Sequence, residues 1–126
     1  MLNAIERLRF AIHTLPDLLV GFSEAESEER PSPERWTKKE VVGHLIDSAS
    51  NNHQRFVRGQ LAPGQDFPRY DQEGWVRVQN YQAARWADLI ALWKAYNTHL
   101  LHVAVQMTED ARRAVCRVGG APEVTL

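Results

Sequence analysis

The sequence predicts an all-α fold, an up-and-down helical bundle, and three observations lead there. Three long segments repeat apolar residues at steps of three and four, the spacing of one helix face. The connections between them let neighbouring helices run antiparallel. The one extended signal is a short stretch at the C-terminus, AVCRVGGAPEVTL, which reads as a small hairpin with Gly119-Gly120 at its turn.

The first helix is expected over residues 2–22, where Leu2, Ile5, Leu8, Ile12, Leu15, Leu19 and Phe22 share a face. Pro16 inside it predicts a kink or an interruption, and Gly21 is a C-terminal signal. Residues 23–35 are acidic, then punctuated by proline, and read as a solvated connection. Thr37 with Glu40 three residues later forms a capping-box pattern. The second helix is expected from Lys38 to Gly59, with Val41, Leu45, Ala49 and Phe56 as its apolar row. Residues 61–82 form a long connection that carries Phe67, Tyr70, Trp75 and Tyr81. So many aromatics predict a loop packed over a helix end, with a short helix near Gln72–Gln79. The last long helix is expected from Ala83 to Met107. Its stripe is Trp86, Leu89, Trp93, Tyr96, Leu100, Val103 and Met107, with Leu92 alongside. Thr108 then caps a further helical turn.

Composition bounds the function. The 126 residues suffice for a single domain, 1–126, with one core. A net charge of -1 gives no electrostatic reason to expect nucleic acid or an anionic membrane as the main partner. No apolar run approaches the roughly 18 residues of a membrane span. The N-terminus is too charged and too helically periodic for a signal peptide. The single cysteine, Cys116, excludes an internal disulfide. These features predict a cytoplasmic protein. There is no phosphate-cradling glycine loop, no GxSxG and no HExxH.

One feature exceeds what a bundle needs. Beside its apolar row, the second helix carries His44, Asp47 or Ser48, Asn51 and Arg55 at helical spacing. His44 is either a satisfied core histidine or a metal ligand. Asp47, one turn on, is either a hydrogen-bond acceptor for the His44 ring or a solvated acid. Asn51 and Arg55 either point into a cavity that holds an anionic or amide-rich ligand or lie in solvent. His53 falls on the opposite face and reads as surface. His99 and His102 are three apart, which allows shared coordination in principle, but structural or surface roles fit their apolar neighbours better. His13 has no acidic or histidine neighbour at helical spacing. Cys116 has no CxxC partner, which argues against catalysis.

The stretch RWTKKEVVGHLIDSASNNHQRF resembles the signature of the DinB-like (YfiT-like) superfamily: a Trp, a capping residue, a Glu, then His-Leu-x-Asp. YDQEGWVRVQNY, LWKAYNTHLLHV and the closing PEVTL resemble one branch of it in order and spacing. The resemblance implies a four-helix bundle that binds zinc or nickel through three histidines. One stands at the HLxD position, here His44, with Asp47 orienting it; two come from an HxxxH pair on the fourth helix. It implies thiol transfer with low-molecular-weight thiols such as bacillithiol, mycothiol or glutathione, or metal-dependent hydrolysis or isomerisation. Asn51, Arg55, Tyr70 and Trp75 would then line the substrate pocket. It also implies a homodimer. The chain departs from the pattern at its end. Thr125-Leu126 matches the opening of the fourth helix, and no HxxxH occurs anywhere. The expectation is therefore a bundle with three of four long helices, C-terminally truncated, with one ligand of three and no tightly bound metal. The alternative is a non-catalytic bundle for oligomerisation or small-molecule binding.

Overall fold

The structure is a computed structural model that describes residues 3–113, 115–118 and 124–125. Helix α1 spans Ala4–Leu19, α2 Glu24–Glu28, α3 Lys38–Leu61, α4 Gln72–Gln79, α5 Trp86–Gln106 and α6 Glu109–Arg113. A single 3-10 turn, Tyr81–Ala83, leads into α5. Among the described residues there are three short strands: β1 Asp66–Phe67, β2 Val115–Val118 and β3 Val124–Thr125. No described helix is long and apolar enough to cross a membrane.

The capping predicted for α3 is present. Thr37 Oγ1 accepts from the Glu40 N–H, and the Glu40 carboxylate accepts from the Thr37 N–H. Asn3 and Ser23 close capping boxes with Glu6 and Glu26 in the same way. The Ser23 box corrects the reading of residues 23–35 as a bare connection, because it starts α2. Pro16 does not end α1; the helix runs on to Leu19 with Pro16 in its last turn. There the missing N–H costs one ladder bond just before the ladder ends anyway. α6 is capped by Thr108, whose hydroxyl accepts from the Ala111 N–H.

The core lies where α5 packs against both α1 and α3. Ile12, Leu19, Val42, Ile46, Val76, Tyr81, Trp86, Leu89, Ile90 and Trp93 form it. On α5 the predicted stripe is the buried one, except that Leu92 is exposed and Tyr96 and Val103 are half-buried. On α3 the buried face is Val42, Ile46 and Ala49; of the predicted row Ala49 is buried and Phe56 half-buried, but Val41 and Leu45 are exposed and give way to Val42 and Ile46, one residue round. Gly43 explains the rotation. A Cβ there would collide with the Tyr81 ring, so this flank of α3 lies flat against the turn before α5.

The C-terminal strands pair as a hairpin, antiparallel, with Val115 opposite Thr125 and Cys116 opposite Val124. Gly119 and Gly120, the expected turn, lie outside the described residues. β1, which the sequence does not announce, joins β2 in parallel register, Asp66 with Arg117 and Phe67 with Val118. The long connection is thereby tied to the C-terminal segment.

Between α2, α3 and α5 sits a buried charge. Lys39 is 1% exposed. Its ammonium donates to Glu24 Oε1 at 2.7 Å, Glu28 Oε1 at 2.8 Å and the Ala84 carbonyl at 2.6 Å. The Glu24 carboxylate also accepts from the Trp86 N–H at 3.0 Å, which caps α5.

Candidate functional site

The polar row of α3 faces the long connection and is largely withdrawn from solvent. Asp47 is 2% exposed, and His44, Ser48, Asn51 and Arg55 are half-buried. Helical rise places Arg55 about 16 Å along the axis from His44, so the row has two ends.

At the His44 end, the imidazole packs against Trp36, ring centroids 5.0 Å apart. Its Nδ1 is buried and has no hydrogen-bond partner among the described residues. Asp47 does not orient it. Asp47 Oδ1 instead accepts from the Tyr81 hydroxyl at 2.5 Å and from Gln79 Nε2 at 2.8 Å. Asp47 Oδ2 is buried without a partner among the described residues. Burial, and then the adjacent Asp47 carboxylate, push the Tyr81 phenol well above its ordinary value, so it stays a donor. Tyr81 sits directly after the left-handed residue Asn80, which ends α4 and aims the ring at Gly43. Neither Tyr81 nor Gln79 is singled out by helical spacing, because both reach Asp47 across a turn of irregular backbone.

At the other end, the Tyr70 and Ser48 hydroxyls lie 3.2 Å apart. Asn51 Nδ2 is spent on the Asp47 carbonyl, 2.8 Å away. Asn51, Arg55 and Tyr70 do line one cavity, of about 320 Å3, together with Arg58 and Phe67. Trp75 does not line it. It supports Tyr70 edge-on, with centroids 5.1 Å apart, and is 38% exposed.

The remaining histidines are apart from this row. His53 is half-buried rather than a surface residue, since its Nδ1 lies 3.0 Å from the Tyr96 hydroxyl and its ring meets His99 edge-on. His13, His99 and His102 are exposed. Among the described residues no group of three His, Cys, Asp or Glu side chains is placed to hold a metal ion. His44 has the chemistry of one ligand, but three protein donors are the norm for a catalytic metal. The described residues therefore do not complete such a centre.

A family model described as the DinB superfamily matches residues 7–126. The chain belongs to the DinB superfamily. A similar solved structure is YfiT from Bacillus subtilis, described as a probable metal-dependent hydrolase with an unusual four-helix bundle topology. This DinB chain is 16% identical to it, with a TM-score of 0.79 over 99% of its own length and 75% of YfiT. That likeness is one of fold. No curated protein matches the chain.

Proposed function

We propose that this single-domain bundle binds a small polar molecule along the α3 row and belongs functionally to the metal-dependent side of its superfamily. The reaction class is hydrolysis, or transfer to a low-molecular-weight thiol. His44 supplies one imidazole to a divalent zinc or nickel ion. The observation that carries this is the buried, unpartnered Nδ1 of His44 at the HLxD position. A buried polar atom without a partner costs about 1–3 kcal/mol, which a ligand would offset. The description of YfiT as a probable metal-dependent hydrolase supports the reading. A second reading, a non-catalytic binding or assembly module, is favoured by the incomplete donor set. We also propose that the protein is a homodimer.

Dialysis against zinc and nickel, with histidine ring resonances followed by NMR, tests the metal reading. The 126 residues are expected to show no stoichiometric site of micromolar affinity. Paramagnetic nickel is expected to broaden the His44 ring resonances, and a chelator to reverse it. A stoichiometric micromolar site that survives His44→Ala places the metal elsewhere. An unperturbed His44 at saturating nickel removes it from any centre.

A further inference from the structure

The second end of the α3 row is built differently from the first. We infer that the cavity around Arg55 is an oxyanion subsite, taking the carboxylate or phosphate group of a small organic molecule. Two guanidinium side chains, Arg55 and Arg58, line it, and no described acidic residue does. Neither arginine side chain forms an ion pair among the described residues. Arg55 Nε is buried with no hydrogen-bond partner among the described residues. A buried guanidinium N–H without an acceptor is costly, and a carboxylate or phosphate oxygen is the acceptor that suits its planar fork. The charge balance is therefore the reverse of the Lys39 site, where two carboxylates and a carbonyl already satisfy the cation.

The rest of the lining says what the anion is attached to. Phe67 is buried and brings an aromatic face to the cavity, and Tyr70 brings a ring with a hydroxyl paired to Ser48. About 320 Å3 is the lower end of the range for small-molecule sites. The ligand is thus a compact anion with a flat or apolar body and a polar substituent near Ser48. The β1 to β2 pairing holds Phe67 in place, so the cavity wall is fixed rather than a free loop. With His44 about 16 Å away along α3, the anionic group is an anchor remote from any chemistry at His44.

This inference rests on reading the α3 row as a substrate wall, so its test runs without metal. Amide spectra of the full chain, with chelator present, are followed during titration with inorganic phosphate and separately with benzoate. Sodium chloride at equal ionic strength is the reference. Saturable shifts at Ser48, Tyr70 and Gln72 are expected, with a dissociation constant on the order of millimolar or tighter. Arg55→Gln and Arg58→Gln are each expected to weaken binding about tenfold or more, as loss of a charged partner does. Arg77→Gln, on a surface outside the cavity, is expected to change nothing. Because Arg58 is exposed, Arg58→Gln reports even where Arg55→Gln disturbs folding. Saturation by benzoate alone assigns a carboxylate, and by phosphate alone a phosphoryl group. Shifts that fail to saturate with both probes, or that persist unchanged in both arginine variants, overturn the subsite. Such a failure leaves the nickel result at His44 standing on its own.

Discussion

Asp47 is a buried carboxylate held by two neutral donors, and its energetics follow from that. The Tyr81 hydroxyl and the Gln79 amide meet one oxygen, while the other oxygen has no partner among the described residues. An ionised group inside a protein depends on each such bond, and hydrogen bonds to charged groups contribute about 1.5–3 kcal/mol. Tyr81→Phe keeps the ring that packs on Gly43 and removes only the hydroxyl. It is expected to destabilise the fold by about 1–3 kcal/mol, read as a lower urea midpoint at unchanged slope. An unchanged midpoint would show that Gln79 alone satisfies Asp47. At this scale the sequence was informative in part. The spacing of His44, Asp47, Asn51 and Arg55 marked one helix face, because helical period is local. The partner of Asp47 was not legible, because Tyr81 lies 34 positions away and reaches it through the left-handed turn at Asn80. Arg58 and Phe67 were missed for the same reason. They join Arg55 only once the chain after α3 folds back and β1 pairs with β2.

Elements here are positioned by caps as much as by apolar faces. α2 is a single turn, yet it delivers Glu24 and Glu28 to Lys39 and Glu24 to the first N–H of α5. The hydrogen bond from Lys39, then that from the Trp86 backbone, hold the Glu24 carboxyl below its ordinary value of 4.5. Lys39 is pulled down by burial, but the two carboxylates outweigh that and leave it above 10.5. The signs follow from linkage. The Glu24 contribution is fully present above pH 4.5 and fades as pH falls through its depressed folded value. The Lys39 contribution is fully present below pH 10.5 and fades as pH rises through its elevated one. Urea midpoints measured from pH 6 downward are therefore expected to fall below about pH 4.5, and Glu24→Gln to make that fall shallower. A variant with the same acid slope as the wild type would show that Glu24 carries none of the linkage. The capping boxes that begin α1, α2 and α3 were all readable as Asn or Ser or Thr followed three residues later by Glu. The buried lysine was not, because a lysine on the first turn of a helix reads as solvated until its acceptors arrive from α2 and the turn before α5.

The whole molecule leaves one broad apolar face uncovered by any described residue. Ile5, Leu8, Leu15, Leu45, Phe56 and Leu100, from all three long helices, line a groove of about 760 Å3. On α5 it extends from Trp93 to Ala104, about 16 Å at the helical rise. Leu18, 67% exposed, continues the α1 side of that face beyond the groove. Among the described lining residues only Arg112 is charged, and most of the rest are apolar, which suits a largely apolar occupant. At about 25 cal/mol per Å2, covering its apolar lining is worth a few kcal/mol per copy, before the cost of association is subtracted. A second copy brings a matching face, and a two-fold axis would lay α1 of each copy along the groove of the other. The expectation is a homodimer at tens of micromolar, seen by analytical ultracentrifugation. Leu45→Glu, in the groove and already 37% exposed, is expected to yield a folded monomer; Leu92→Glu, 47% exposed and outside the groove, is expected to remain a dimer. A wild-type chain that sediments as a monomer with a cooperative melt would mean that three helices close the core unaided, and that the groove is a surface the fold tolerates.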